Sequence, residues 1–187
     1  MTTMTSIERE VKLRFPSAEE ARVAVLETGA VPLLGRRLQE DALFDTADDQ
    51  LKARRSALRL RRDNGKTRLT FKGPVQPDVM KVREELETVI ADGDVLHRVF
   101  EELGLRVWFR YQKYREEFSH QDVIVAIDET PVGVFVELEG SEQGISDMTA
   151  ALGRSPADYI LQSYYALFIR HRSKVGLAGD DMLFPGE

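Results

Sequence analysis

Three charged residues stand at every second position near the start of the chain. They are Glu8, Glu10 and Lys12, and Val11 and Leu13 occupy alternate positions beside them. Side chains of a β-strand alternate between two faces, so two carboxylates and one ammonium group share a face. Carboxylates bind hard divalent cations and ammonium groups bind phosphate. This face therefore has the chemistry to hold a metal ion beside a phosphorylated molecule.

The same alternation recurs along the whole chain. The further cations on such positions are Arg59, Arg61, Lys72, Arg83, Lys113 and Arg115. The further carboxylates are Glu85, Glu87, Asp128, Glu137 and Glu139. A chain that repeatedly places both signs of charge on one strand face builds either an interior polyelectrolyte site or an unusually charged outer surface.

Alternating and helical patterns predict the elements that carry these residues. We expect β-strands over 6–15, 31–44, 56–62, 66–72, 79–90, 105–118, 123–128 and 132–139. Asn64-Gly65 between two alternating runs predicts a tight hairpin. Ser17 with Glu20 is a typical helix start, so helices are expected from 17, over 92–103, and over about 146–152, 157–161 and 163–172.

The direction of the charged faces decides between two architectures. In a two-sheet sandwich the apolar faces form the core and the charged faces contact solvent. About eight antiparallel strands can instead close into a barrel. If the amphipathic helices cover an apolar outer face, the ionic faces line a water-filled interior. We favour this α+β fold, an eight-stranded antiparallel barrel with helices outside, and keep the charged-surface sandwich as the alternative.

A tunnel with cations on one wall and carboxylates on another is suited to phosphoryl transfer. The cations would hold a polyanion, and Mg²⁺ or Mn²⁺ held by carboxylates would lie between the two. The chain has no Gly-Lys-Ser/Thr phosphate loop and no Gly-x-Gly-x-x-Gly motif. His97, His120 and His171 lack metal-ligand spacing. Trp108, Phe109 and Tyr111 are expected to pack rather than to stack on bases.

Composition limits the other possibilities. The 187 residues include no cysteine, carry a net charge of −6 and contain no long apolar run. We therefore expect no disulfides, no membrane span, no nucleic-acid partner and a cytoplasmic location. One domain over 1–172 is expected, followed by a loose tail over 173–187, in a monomer or homodimer.

The first motif, Glu8-x-Glu10-x-Lys12, resembles the signature of the CYTH family, the triphosphate tunnel metalloenzymes. The resemblance covers about residues 6–170. It continues through Phe44-Asp45-Thr46, Leu58-Arg59-Leu60-Arg61, Thr70-Phe71-Lys72-Gly73-Pro74, Arg83-Glu84-Glu85-Leu86-Glu87, Lys113-Tyr114-Arg115, Ile127-Asp128-Glu129, Phe135-Val136-Glu137-Leu138-Glu139 and Ser163-Tyr164.

The resemblance implies roles for the tunnel residues. Its implied triphosphate-binding residues are Lys12, Arg59, Arg61, Lys72, Arg83, Lys113 and Arg115. Its implied ligands of Mg²⁺ or Mn²⁺, directly or through water, are Glu8, Glu10, Glu85, Glu87, Asp128, Glu137 and Glu139. Lys12, Glu137 and Glu139 are the expected catalytic residues.

Family members hydrolyse inorganic, nucleoside or thiamine triphosphate, or cyclise ATP as class IV adenylate cyclases. We expect a metal-dependent triphosphatase acting on inorganic triphosphate, ATP or a related small molecule. Adenylate cyclase activity and a non-catalytic polyphosphate- or nucleotide-binding module are the alternatives. Animal thiamine triphosphatases carry a tryptophan at the position of Ala57, so dedicated thiamine stacking is not expected.

Overall fold

Eight antiparallel strands close into a barrel in the computed structural model, which describes residues 6–176 and 179–185. The order around the barrel is β1-β5-β4-β3-β2-β6-β7-β8. The strands are β1 (Ser6–Phe15), β2 (Val31–Thr46), β3 (Ala57–Asp63), β4 (Lys66–Lys72), β5 (Lys81–Ile90), β6 (Leu105–His120), β7 (Val123–Thr130) and β8 (Gly133–Glu139). The predicted barrel is confirmed, and the sandwich is wrong.

Local signals in the sequence explain several element boundaries. Asn64 and Gly65 both adopt the left-handed conformation, with φ of 49° and 74°, as a tight hairpin between β3 and β4 requires. The hydroxyl of Ser17 accepts from the amide of Glu20 at the start of α1 (Ala18–Glu27). Asp92 caps α3 (Gly93–Glu102) in the same way.

The remaining helices are α2 (Gln50–Ala53), α4 (Glu142–Ala151) and α5 (Tyr164–Val175). Two of the predicted C-terminal helices differ from expectation. Ser141 caps α4, so that helix begins four residues earlier than the pattern indicated. The stretch predicted over 157–161 is a single 3-10 turn at Pro156–Asp158, which begins at a proline.

The apolar faces of the strands point away from the barrel axis. Val11 and Leu13 of β1 are fully buried and belong to one hydrophobic cluster with Val25 of α1 and Ile145 of α4. A second cluster joins α5 to β6 and β8, and a third joins α3 to β2 and β3. The helices therefore supply the hydrophobic cover, and the interior is left to the charged faces.

The C-terminal segment is not a loose tail where the structure describes it. The main chain of Met182 pairs with β6, donating to Arg110 O and accepting from Gln112 N, both at 2.9 Å. The side chain of Met182 is fully buried in the second cluster. The ring of Phe184 contacts Tyr114, with ring centres 5.2 Å apart. The expectation of a loose segment is therefore wrong for 180–185, because pairing and burial fix it.

The domain limits of 1–172 and 173–187 stay a prediction. Residues 1–5 of that domain, and 177, 178, 186 and 187 of that tail, lie outside the described residues. Within the described residues, no helix has both the length and the apolar character that a membrane crossing requires.

Replacing Met182 tests whether the C-terminal segment contributes to stability. We expect Met182→Ala to lower the free energy of unfolding by about 2–5 kcal/mol, because truncating a buried side chain leaves a cavity. Urea unfolding followed by circular dichroism measures the change. Leu183, which is 42% exposed, provides the matched control, and Leu183→Ala is expected to have little effect. Equal small effects of both substitutions would show that the segment is not docked.

Candidate active site

A cavity of about 690 Å³ lies inside the barrel and is lined by both signs of charge. Every residue predicted for the site lines it except Asp128. They are Glu8, Glu10, Lys12, Arg59, Arg61, Lys72, Arg83, Glu85, Glu87, Lys113, Arg115, Glu137 and Glu139. The side chains share the inner face because their strands are in register, with Glu10 opposite Glu139 and Lys12 opposite Glu137.

Asp128 lies behind the basic wall and is fully buried. Lys113 Nζ donates to Asp128 Oδ2 at 2.7 Å, Arg115 Nε donates to Oδ1 at 2.6 Å, and the hydroxyl of Tyr164 donates to Oδ2 at 2.6 Å. Both carboxylate oxygens are therefore occupied by donors from the protein. In this structure Asp128 anchors two cations of the wall, and its geometry does not support a role as a direct metal ligand.

Burial inside this wall shifts the pKa of Lys113 and of Tyr164. Loss of hydration and repulsion from Arg115 lower the pKa of Lys113 to about 8, in spite of the attraction of Asp128 and Glu137. Burial and the charge of Asp128 raise the pKa of Tyr164 well above its ordinary value. Tyr164 therefore keeps its proton and remains a hydrogen-bond donor to Asp128.

The neighbouring part of the wall pairs carboxylates of β1 with lysines and an arginine. Glu8 binds Lys72 at 2.6 Å and Arg83 at 3.1 Å. Glu10 binds Lys12 and, at 2.8 Å, Lys81. Burial, together with repulsion from Glu10, raises the pKa of Glu8 to about 7. Burial also acts to raise the pKa of Glu10, but the attraction of Lys12, Lys81 and Lys72 exceeds it and leaves that pKa well below the ordinary value.

Asp41 and Lys81 belong to the site although sequence analysis did not select them. Asp41 of β2 is buried and binds Arg61 at 2.9 Å and Arg59 at 3.5 Å. Lys81 is two residues before Arg83 and lines the cavity. The alternating positions 39, 41 and 43 of β2 and 81, 83 and 85 of β5 carried this signal. This signal could be interpreted only once the register of the strands was known.

A separate group of charges lines the cavity where β3 ends. Arg37 of β2 binds Asp63 at 2.8 Å and Glu117 at 3.0 Å. The amide of Gln39 donates to Asp63 at 2.7 Å, and its carbonyl oxygen is buried without a partner among the described residues. This end of the cavity is therefore rich in paired carboxylates, whereas Lys52 and Arg55 line the end where β3 begins.

Carboxylates suited to a hard divalent cation lie where β1 meets β8. Glu137 binds Lys12 at 3.2 Å and also Arg115. Glu139, on the cavity side, forms no ion pair with any described residue. Burial raises the pKa of Glu139, and the charges of Glu85 and Glu10 add to that rise. A cation between these oxygens would relieve their repulsion, so the donor set fits Mg²⁺ or Mn²⁺.

The carboxylates do not form a complete metal coordination sphere in this structure. Within 6–176 and 179–185, no three aspartate, glutamate, histidine or cysteine side chains converge closely enough to hold a metal ion. Glu8, Glu10 and Glu137 are instead held by lysine and arginine side chains.

Trp108, Phe109 and Tyr111 of β6 pack against α5, and two of them also line the cavity. Phe109 is fully buried and contacts Phe168, with ring centres 5.7 Å apart, as predicted. Trp108 packs edge-on against Tyr165 at 4.8 Å, but it also lines the cavity. Tyr111 is buried in the same hydrophobic cluster, so the predicted packing is confirmed for all three residues, and Tyr111 lines the cavity as well.

Comparison with known proteins identifies the family. The family model described as the CYTH domain matches residues 6–164. This chain belongs to the CYTH family. The likeness extends to a Methanocaldococcus jannaschii protein, named as a candidate adenylate cyclase, that is 30% identical over 147 residues. The matched region spans 78% of this chain and 83% of that protein.

Two solved structures share the fold of this CYTH protein. A Pyrococcus horikoshii protein superposes with a TM-score of 0.76 at 25% identity, covering 88% of this chain and 99% of that one. A candidate adenylyl cyclase of Hippeastrum, described as revealing a dominant triphosphatase activity, superposes with a TM-score of 0.63 at 21% identity. That match covers 88% of this chain and 95% of that one.

The depressed pKa of Lys113 predicts how the stability of the metal-free protein depends on pH. The folded pKa of about 8 lies below the ordinary value of 10.5, so the folded protein loses this proton first. The stability that Lys113 contributes is therefore present above pH 10.5 and is lost as pH falls through 8.

Comparing the wild type with Lys113→Met by urea unfolding between about pH 7 and 10 isolates this effect. We expect the unfolding free energy of the wild type to increase relative to that of Lys113→Met as pH rises. This increase should be on the order of 1 kcal/mol or more, because one pKa unit corresponds to about 1.4 kcal/mol. A difference that does not change with pH would contradict the depressed pKa.

Proposed function

We propose that this CYTH protein is a Mg²⁺- or Mn²⁺-dependent phosphohydrolase that cleaves a triphosphate inside the barrel. The observation that carries the proposal is the enclosed cavity, where arginines and lysines project from several strands towards one space. A triphosphate is a small polyanion of matching charge. Arginine forks bind its oxygens in pairs, whereas lysines act as point charges.

The basic residues would bind and orient the phosphate chain. Lys113 and Arg115 are fixed by Asp128, and Arg59 and Arg61 are fixed by Asp41. Side chains held in place before the substrate arrives lose little freedom on binding it. Such preorganised cations also stabilise the charge that develops on phosphate oxygens in the transition state.

Glu139, Glu137 and Glu10 are the residues that would hold the metal ion. When bound, a divalent cation would neutralise phosphate charge and lower the pKa of a coordinated water. The side chains of the cavity would position the metal ligands and limit the access of water. Lys12 lies between Glu10 and Glu137, where its charge keeps both carboxylates ionised and near each other. Closure of the barrel would restrict water to the few molecules that the cavity admits.

Cyclisation of ATP is the second candidate. It is favoured by the name of the Methanocaldococcus jannaschii relative, which the chain matches at 30% identity. The two reactions use the same charges and differ in the phosphorus atom that is attacked. Hydrolysis releases phosphate from the terminal position, whereas cyclisation releases pyrophosphate.

Product analysis separates these reactions. We expect incubation with Mg²⁺ or Mn²⁺ and either inorganic triphosphate or ATP to release phosphate, because in the proposed reaction water would attack the terminal phosphorus and expel pyrophosphate or ADP. Chromatography with detection of phosphate, pyrophosphate and cyclic AMP measures the outcome. Cyclic AMP with equimolar pyrophosphate would favour the cyclase. No turnover with either metal would reject the enzyme and leave the binding module.

Two arginines on opposite faces of β3 test the binding role of the interior. We expect Arg59→Ala to weaken triphosphate binding about 10- to 150-fold, because a charge-assisted hydrogen bond contributes about 1.5–3 kcal/mol. Isothermal titration calorimetry measures the affinity. Arg62, whose side chain is 53% exposed and points outward, is the control, and Arg62→Ala should bind normally. Similar losses in both variants would count against an interior binding site.

The metal role of Glu139 predicts a separation of turnover from binding. In Glu139→Gln we expect turnover to fall at least about 100-fold, because loss of a ligand weakens the metal site. Triphosphate affinity without metal should stay within a few-fold of the wild type. Steady-state kinetics over a range of Mn²⁺ concentration and calorimetry measure the two quantities. The outward-facing Glu116, paired with Arg22, supplies the control Glu116→Gln. Equal effects on turnover and on metal-free binding would oppose a ligand role.

A further inference from the structure

Trp108 occupies a bulge in β6 at the end of the cavity where β3 begins. Leu43 of β2 is opposite Phe109 and Phe44 is opposite Val107, so Trp108 has no partner in the register. A bulge places one extra residue in a strand and changes the direction of its side chain. Strict alternation from Tyr111, which lines the cavity, would turn Trp108 outward. The irregularity allows Trp108 to line the cavity as well.

The indole ring is held in position but is not enclosed. Tyr165 of α5 contacts it edge-on, with an interplanar angle of 84° and ring centres 4.8 Å apart. Phe109 in turn supports Tyr165, with ring centres 5.0 Å apart. Lys52 Nζ lies 4.4 Å from the centre of the indole ring and is partly exposed, so a flexible side chain covers that face. A planar ligand could displace this side chain and stack on the indole.

The ring adjoins the proposed phosphate-binding residues. Leu43 lines the cavity beside the bulge and is the register partner of Arg59 across β2 and β3. Residues directly opposite in neighbouring strands have their Cβ atoms about 5 Å apart. A short linking group is therefore enough to join a flat ring stacked on Trp108 to a phosphate held by Arg59. A nucleoside triphosphate has this layout, with a sugar between the base and the first phosphate.

The charges at this end of the cavity discriminate between kinds of ring. Lys52 and Arg55 line it, and Asp49, which binds Lys52 at 2.9 Å, does not. Ser56, Leu161 and Ser163, which line the cavity as well, are uncharged. A positively charged ring would be repelled by these cations, whereas a neutral nucleobase would not.

We propose that Trp108, supported by Tyr165 and Leu43, forms a stacking subsite for the neutral base of a nucleoside triphosphate. This inference rests on the proposed function, because it names the substrate class of the same cavity. The organic triphosphate, rather than inorganic triphosphate, is then the preferred substrate.

Replacing the indole should affect ATP and inorganic triphosphate differently. In Trp108→Leu we expect kcat/KM for ATP to fall on the order of 10-fold, the size of one lost base stack. The value for inorganic triphosphate should stay nearly unchanged. Trp108→Phe keeps an aromatic face and should retain most of the activity with ATP. Equal losses for the two substrates, or no loss for either, would overturn the subsite.

Thiamine triphosphate, which carries a cationic ring, tests the charge argument. We expect its kcat/KM to be lower than that of ATP in the wild type and to change little in Trp108→Leu. If thiamine triphosphate depends on Trp108 more strongly than ATP does, the assignment to a neutral base is wrong.

Fluorescence of the wild type gives a measurement independent of turnover and of variant folding. Trp108 is the one tryptophan in the sequence, so its emission reports on this position alone. We expect a non-hydrolysable ATP analogue to change the emission in a saturable manner, and inorganic triphosphate, at saturation judged by calorimetry, to leave it nearly unchanged.

The same change with both ligands, or no change with the analogue, would overturn the subsite. If the analogue gives the expected change but neither substrate is turned over, the proposed hydrolysis fails while the base subsite stands. If neither ligand binds, both proposals fail.

Discussion

Neutralisation of charge within an enclosed space is the constraint on which the rest of this structure depends. An isolated ionised group removed from water is very costly, and a buried charge is tolerated when it is paired. The barrel largely satisfies this condition by bringing cations of one strand next to carboxylates of a neighbouring strand. Lys12 lies between Glu10 and Glu137, and Asp128 receives Lys113 and Arg115.

The separation of stability from chemistry follows from this arrangement. Buried ion pairs add little net stability, because the loss of hydration offsets most of their attraction. Stability must therefore come from elsewhere, and the three apolar clusters lie between the strands and the helices. The docked segment around Met182 extends one of these clusters. An ionic interior is thus compatible with a stable fold, since the hydrophobic core lies outside the barrel wall.

The pairing also produces two kinds of carboxylate. Glu10 and Glu137 are surrounded by cations that hold their pKa values well below the ordinary range, after opposing the effect of burial. Glu8 and Glu139 have raised pKa values, because burial and neighbouring carboxylates outweigh the cations near them. A bound cation would stabilise the ionised forms of Glu8 and Glu139 most, because these carboxylates are compensated least by the positive charges near them. This difference supports the assignment of Glu139 as a metal ligand.

The sequence by itself determined the barrel, its inner face and most of the charged residues on that face. Alternation with period two is a local property, and so are the hairpin at Asn64-Gly65 and the cap at Ser17. The tertiary structure alone decided which charges meet, because register between distant strands is not encoded in local spacing. It placed Asp128 behind the wall, brought Asp41 to Arg61 and docked Met182 on β6. It also turned Trp108 into the cavity, since a bulge breaks the alternation from which a sequence assigns faces.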